Sequence, residues 1–306
     1  MARSRTLIST AQGTHQEAFG PTEWGLLAFI AGVWGSSFLL IAIGLDDFAP
    51  GVVTFGRILF GMLGLAFVPG ARVPIDREDW PKVALIGFTW MALPLSLFPI
   101  AELYVDSSVA GMINGAVPLF AAFFASVLLA TRPQRRQAIG LTIGFLGVVA
   151  ISLPSLHGAE ASPVGIGLLV VAVVLYGLST NLAVPLQQKY GGLAVMWRVQ
   201  ISALIMTAPY GLASLPASEF GWASLAAVMV LGFLGTGWAF VAMTNLMGRA
   251  GAARGSVAIY VTPVVAIALG VVFRDETVAG LALVGTVLVL LGAWLTSRAE
   301  SGAPER

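Results

Sequence analysis

Long uncharged, apolar stretches alternate with short polar breaks along almost the whole chain. The first lies between Glu23 and Asp46. Others fall at about 51–68, 82–102, 106–132 and 136–157, and after a polar hinge five more follow at about 164–186, 193–214, 221–247, 255–273 and 277–297. A helix needs roughly 20 apolar residues to cross about 30 Å of hydrocarbon, and each stretch approaches that length. They are too long and too evenly apolar for the alternating strands of a membrane barrel, and helices satisfy their own backbone in lipid. The pattern predicts an all-α integral membrane protein with ten transmembrane helices.

One part of the pattern occurs twice. The stretch from Ser108 to Ile151 aligns without a gap with the stretch that begins at Ala253. Pro118 falls on Pro263, Gly140 on Gly285 and Gly147 on Gly292. With small gaps, Trp34-Gly35 matches Tyr176-Gly177, Arg57 matches Arg198 and Gly87 matches Gly232. Each half holds five spans, an odd number, so the second half enters the membrane from the opposite side. Two inverted five-helix repeats are the geometry from which alternating access follows.

Composition agrees. The 306 residues are 58% hydrophobic and only 10% charged, against about 25% charged in a soluble domain. Residues 1–22 hold no apolar core of signal-peptide type, so the first apolar segment is expected to stay as a span. With the N-terminus inside, all basic residues except Arg57, Arg198 and Arg274 fall on the cytoplasmic side or in the tails. The outer loops carry Asp46, Asp47, Asp106, Glu160, Glu219, Asp275 and Glu276. This predicts both termini cytoplasmic. Cysteine is absent, which excludes disulfides and thiolate metal sites, and His15 and His157 lie in polar stretches.

Ten helices in inverted halves, an aromatic-Gly pair in the first helix of each half, an Arg in the second and the Pro…Gly…Gly spacing resemble the drug/metabolite transporter superfamily, in its EamA branch. The resemblance covers about Trp24 to Arg298. It implies a first EamA-type repeat over 23–156, a linker at 157–163 and a second repeat over 164–298, with cytoplasmic tails at 1–22 and 299–306. Asp275-Glu276 stands where the family has an acidic residue before its last helix, and the first repeat has Thr131 there. The likeness to bacterial amino-acid and metabolite exporters, including the aromatic amino-acid type, implies a secondary transporter of the bacterial inner membrane. Such a carrier would export small neutral or zwitterionic metabolites, amino acids foremost, through a central cavity. Its partners would be that substrate and the lipid bilayer, with no nucleic acid, as a monomer or alternatively a dimer.

Nothing in the chain reads as catalytic apparatus, a cofactor site or a metal site. There is no Gly-x-x-x-x-Gly-Lys-Ser/Thr loop for ATP, no His-Glu-x-x-His and no Gly-x-Ser-x-Gly. Transport driven by a gradient is the economical reading. Pro118 and Pro263 each lack an N–H and free a carbonyl four residues back, that of Asn114 and of Ile259. Two kinks facing one cavity would satisfy these groups, and the resemblance places their helices around the substrate path. The candidate lining comprises Trp34, Ser36, Ser37, Trp90, Pro94, Ser96, Asn114, Tyr176, Ser179, Thr180, Asn181, Trp238, Tyr260 and Thr262, with the two prolines. Pro94 and Pro99 are also read as gate residues near the outer side. Trp24, Trp80, Trp222 and Trp294 read as the interfacial belt.

Arg57 and Arg198 lie within spans but near enough to an interface to snorkel, and are read as anchors bonded to loop carbonyls. Glu102, the one carboxylate bordering the third helix, is a candidate for proton coupling or else a solvated rim group. Small residues at four-residue spacing (Ala28, Gly32, Ser36; Gly111, Gly115; Gly140, Gly144) predict close helix packing. Two alternatives remain within the superfamily. A multidrug type relies on a carboxylate deep in the first helix, which is absent here, and a sugar-phosphate type calls for several deep basic residues. From other classes, a non-transporting interaction protein has no soluble domain to receive a signal, and an intramembrane enzyme has no convergent set of reactive groups.

Overall fold

The computed structural model describes residues 9–11, 13–14, 20–130, 135–157 and 162–297. Among these every regular element is helical. In chain order they are α1 (Pro21–Leu45), α2 (Pro50–Ala66), α3 (Arg77–Ala101), α4 (Ser107–Leu128), α5 (Arg135–His157), α6 (Pro163–Tyr190), α7 (Gly192–Ser214), α8 (Trp222–Ala250), α9 (Thr262–Arg274) and α10 (Gly280–Ser297). Six of them, α1, α3, α4, α6, α7 and α8, are long and apolar enough to cross a membrane, and the others contribute shorter apolar stretches.

Local sequence explains the boundaries. Pro21, Pro50 and Pro163 stand in the first turn of their helices, where no N–H is needed. Gly191 and Gly251 close α6 and α8 with φ of 82°, each returning its N–H to a carbonyl four residues back. A residue with a Cβ is strained in that conformation.

Two kinds of irregularity interrupt the helices. Residues Gly87–Ala92 of α3 and Leu231–Trp238 of α8 wind as π-helix. They sit at matched positions of the two halves, and π segments concentrate at functional sites. In addition, α4 breaks at Gly115-Ala116, so Pro118 begins a new helix at Val117. Likewise α9 follows a helical turn, Ala252–Gly255, and a 3-10 segment, Ser256–Val261, so Pro263 stands in its first turn. Both prolines mark helix restarts, not kinks within a continuous helix. The freed Ile259 carbonyl is taken up locally, by the Thr262 hydroxyl at 2.7 Å.

Packing crosses between the halves. Helix α1 lies on α9, and α6 lies on α4. The aromatic-Gly pairs explain both approaches. A Cβ on Gly35 would meet Val265 and the Thr262 carbonyl, and one on Gly177 would meet Phe120 and the backbone of Ala121. Phe120 and Val265 are themselves matched positions of the two halves. The fifth helices, α5 and α10, meet backbone to backbone along Gly140, Gly147, Gly285 and Gly292, as small residues permit. Gly111, Gly115 and Gly144 are also tightly packed, but Gly32 has open space beside it and makes no such approach.

Polar ties close the ends. At one end Lys189 pairs with Asp76 at 2.7 Å and Asp79 at 2.8 Å, and Arg249 pairs with Glu23. The hydrogen bond from Lys189 holds the Asp76 carboxyl below its usual range. At the other end Arg274 meets Asp46 at 2.9 Å, and Ser224 donates to Asp47 at 2.6 Å. Glu276 accepts from the Ser107 and Ser108 amides at 3.0 and 2.9 Å, so it caps the start of α4 from a distant part of the chain. Its match Thr131 lies outside the described residues.

Candidate functional site

A narrow cavity lies where the π segments, the broken α4 and the 3-10 run-in to α9 converge. Helix α1 presents Trp34, Ser37, Phe38 and Ile41, the spacing of one helical face. Facing them are Tyr176 and Thr180 of α6, Trp90 and Phe98 of α3, and Phe240 and Met243 of α8. Asn114, Val117, Ile259 and Arg57 complete the wall.

The lining repeats between the halves. Trp34 corresponds to Tyr176 and Phe38 to Thr180. Asn114 corresponds to Ile259 and Phe98 to Met243, both 145 residues apart. The cavity therefore sits where the two halves present equivalent positions to each other.

Aromatic rings fix most of the wall. Phe240 packs edge-on to Trp34 at 5.0 Å and to Trp90 at 5.3 Å. Phe98 stacks on Tyr176 and leans on Phe38, both at 5.7 Å. Such pairs hold rings in defined orientations. The Trp34 indole N–H donates to the Gly235 carbonyl at 2.9 Å, inside the π segment of α8. The neutral polar groups turn partly inward on themselves. Ser37 donates to Val33 and Thr180 to Gly177, while Asn114 reaches Thr262 at 3.4 Å.

Only about 40 Å³ of the cavity is open to the centre of a water-sized molecule. That admits a few waters. Pockets that hold small organic ligands run to roughly 300–1,000 Å³, so a metabolite fits only after the aromatic wall or its helices shift.

Of the residues expected from sequence, Trp34, Ser37, Trp90, Asn114, Tyr176 and Thr180 meet in this cavity. Pro94 and Pro118 are buried beside it, and Pro263 packs against Gly115. The side chain of Tyr260 lies outside the described residues. Trp238 is displaced from the expected position: it is 40% exposed on the outside of the bundle and does not line the cavity. The reason is the π segment that ends at it, whose i→i+5 turns consume extra residues and rotate the helix beyond them. Phe38, Phe98, Phe240 and Met243 join the wall without any distinguishing chemistry in the sequence, because in an apolar helix they look like ordinary packing; the repeat offset that relates Phe98 to Met243 is the one signal they carry.

Sequence position makes both arginines anchors, and only one behaves so. Arg198 donates to the carbonyls of Ala71 at 2.7 Å, Ala194 and Arg72. Arg57 instead is 3% exposed, lines the cavity and donates through Nε to Thr236 Oγ1 at 3.0 Å. Close approach of α2 to the glycine-rich π segment, at Gly61, Gly232 and Gly237, brings it there. Glu102 ends α3 one turn beyond Phe98. Both its carboxyl oxygens are buried with no hydrogen-bond partner among the described residues, so it is not a solvated rim group.

A family model described as the EamA-like transporter family matches residues 22–153 and 163–298. The chain belongs to this family. It is a multi-pass membrane transporter of the drug/metabolite superfamily, not an enzyme. The chain is 28% identical to a probable terminal-alkyne amino-acid exporter of Streptantibioticus cattleyicolor, over 91% of its length and 94% of the relative's. It is 25% identical to a probable amino-acid metabolite efflux pump of Salmonella typhimurium, covering 89% and 93%. With the uncharacterized inner membrane transporter YedA of Escherichia coli it shares 26%, covering 89% and 92%. A solved crystal structure shares the fold at a TM-score of 0.64 and 18% identity, over 90% of this chain and 96% of that one. Among the described residues no cluster of metal-ligating side chains occurs.

Proposed function

We propose that this EamA-family carrier exports amino acids or closely related metabolites across the bacterial inner membrane by alternating access. In this reading the helices form ten spans in two inverted repeats, 23–156 and 164–298, with both termini cytoplasmic, and the carrier works as a monomer. The observation that carries it is the cavity, walled by equivalent positions of both halves and mixing aromatic rings with a few neutral hydrogen-bonding groups. Inverted halves exchange roles around such a site. The functions named for the Streptantibioticus and Salmonella relatives support amino acids as the substrate class. Among the described residues no carboxylate lines the cavity, as a cationic drug would need, and one guanidinium is too few for a sugar phosphate. Purified protein in liposomes should accelerate counterflow of at least one labelled amino acid from a broad panel. Movement of none of them would sink the proposal.

Glu102 extends the reading to coupling. A buried ionised carboxylate with no donor is costly, so a carboxyl that gains and loses a proton with the transport cycle suits this place. Arg57 and Glu276 act on it at longer range. Glu102→Gln is expected to leave counterflow running while abolishing accumulation driven by a pH gradient. Unchanged gradient-driven accumulation in this variant would remove Glu102 from the coupling path.

A further inference from the structure

The two matched arginines have different surroundings, and that difference defines the substrate more narrowly than the cavity's shape does. Arg198 spends its guanidinium on three backbone carbonyls. Arg57 is more deeply buried, yet among the described residues its one hydrogen bond is Nε to the neutral Thr236 hydroxyl. No carboxylate pairs with it among the described residues, and Glu102 and Tyr176 act on it only at longer range. Its Nη2 lies beside Gly235, the residue whose carbonyl holds Trp34. A guanidinium has five donors in a planar fork that matches a carboxylate. Here four donors are left over, on a permanently charged group that lines an otherwise neutral, aromatic cavity.

We infer that Arg57 is the receptor for the substrate's carboxylate, and that the carrier takes monocarboxylates with an apolar or aromatic body of amino-acid size. This rests on the transport reading and sharpens it. A buried cation without a counter-ion is costly, and a bound carboxylate supplies one. The rings of Trp34, Trp90, Phe98 and Phe240 then receive the apolar body. In a zwitterion the ammonium group meets the Tyr176 and Phe98 rings or the Asn114 carbonyl oxygen, contacts available to it without any acidic side chain. Thr236 fixes the fork's direction. The pseudo-symmetry of the lining is broken at this charge, so both faces of the transport cycle use one carboxylate receptor and not two.

The test is a direct binding titration, followed by tryptophan fluorescence and repeated by calorimetry, with four probes of one skeleton: L-phenylalanine, 3-phenylpropionate, L-phenylalaninamide and phenethylamine. The unaltered protein is expected to bind the two carboxylates about 10- to 100-fold more tightly than the amide and the amine, the range a charged hydrogen-bonded contact supplies. Arg57→Gln should collapse that preference to near equality, and Arg57→Lys should restore part of it. Equal affinity for acid and amide in the unaltered protein overturns the inference, as does failure of any carboxylate to bind. Full preference retained in Arg57→Gln also overturns it. Should Arg57→Gln fail to fold, the probe series on the unaltered protein decides. Counterflow with the same probes separates the two claims: Arg57-dependent binding without counterflow defeats transport and leaves the receptor standing, while counterflow indifferent to the carboxylate does the reverse.

Discussion

Gly292→Leu is expected to prevent assembly of a folded, monodisperse protein. A Cβ at Gly292 would lie 2.5 Å from the Gly140 carbonyl oxygen and from the Gly144 amide nitrogen. Both obstacles are backbone of α5, so no side-chain rotation relieves the clash. The helices α5 and α10 must part, and with them the backbone contact that continues through Gly147 and Gly285. Overpacking a well-packed site costs about 1–3 kcal/mol, and more when backbone has to move. The expected cost here is at the upper end or beyond. Size-exclusion profiles and thermal unfolding in detergent give the readout, with Gly32→Leu as the control. Gly32 has nothing within 4 Å of its Cβ position, so that variant should behave as the parent. Equal behaviour of the two leucine variants would contradict the seam.

Trp90→Ala is expected to lower amino-acid counterflow at least about tenfold, equivalent to roughly 1.4 kcal/mol. Trp90 is 1% exposed, lines the cavity and holds Phe240 by an edge contact. Phe240 in turn holds Trp34. Deleting the indole therefore loosens two further rings of the wall, Phe240 and Trp34. A Trp→Ala change in a core also costs about 3–5 kcal/mol of stability, so Trp90→Phe is the necessary companion. It keeps a ring against Phe240 and should recover most of the folding while shifting substrate preference. Unaltered counterflow in a folded Trp90→Ala protein would place the substrate path elsewhere.

Much of the architecture is legible in the sequence because lipid makes charge expensive, and so polar breaks mark helix ends. The boundary near Asp46 and the hinge before Pro163 follow from that rule. Polar and aromatic residues inside apolar stretches stand out for the same reason, which is why Trp34, Asn114 and Tyr176 declare themselves. Phe98 and Met243 do not, since an apolar side chain on an apolar helix has no distinguishing chemistry. Their equal spacing within the duplicated halves is the available signal. The π segments are the deeper obstacle. Gly87 and Gly232 are visible as a matched pair, but a change of helical pitch has no sequence pattern of its own, and regular winding puts Trp238 in the wrong place. Arg57 and Arg198 teach a related lesson: same residue type, matched positions, opposite roles. What separates them is the partner each meets across the bundle, loop carbonyls for one and a single threonine for the other.

Alternating access requires one cavity to open in turn to both sides of the membrane. The chain contains no cysteine, so Ser37→Cys places its single thiol in the cavity wall. In sided membrane vesicles, a membrane-impermeant thiol reagent is applied from one face and then, in a separate sample, from the other. Labelling is expected from either face, slowed in both cases by a transported amino acid. Labelling from neither face, or at a rate the substrate does not change, would contradict alternating access.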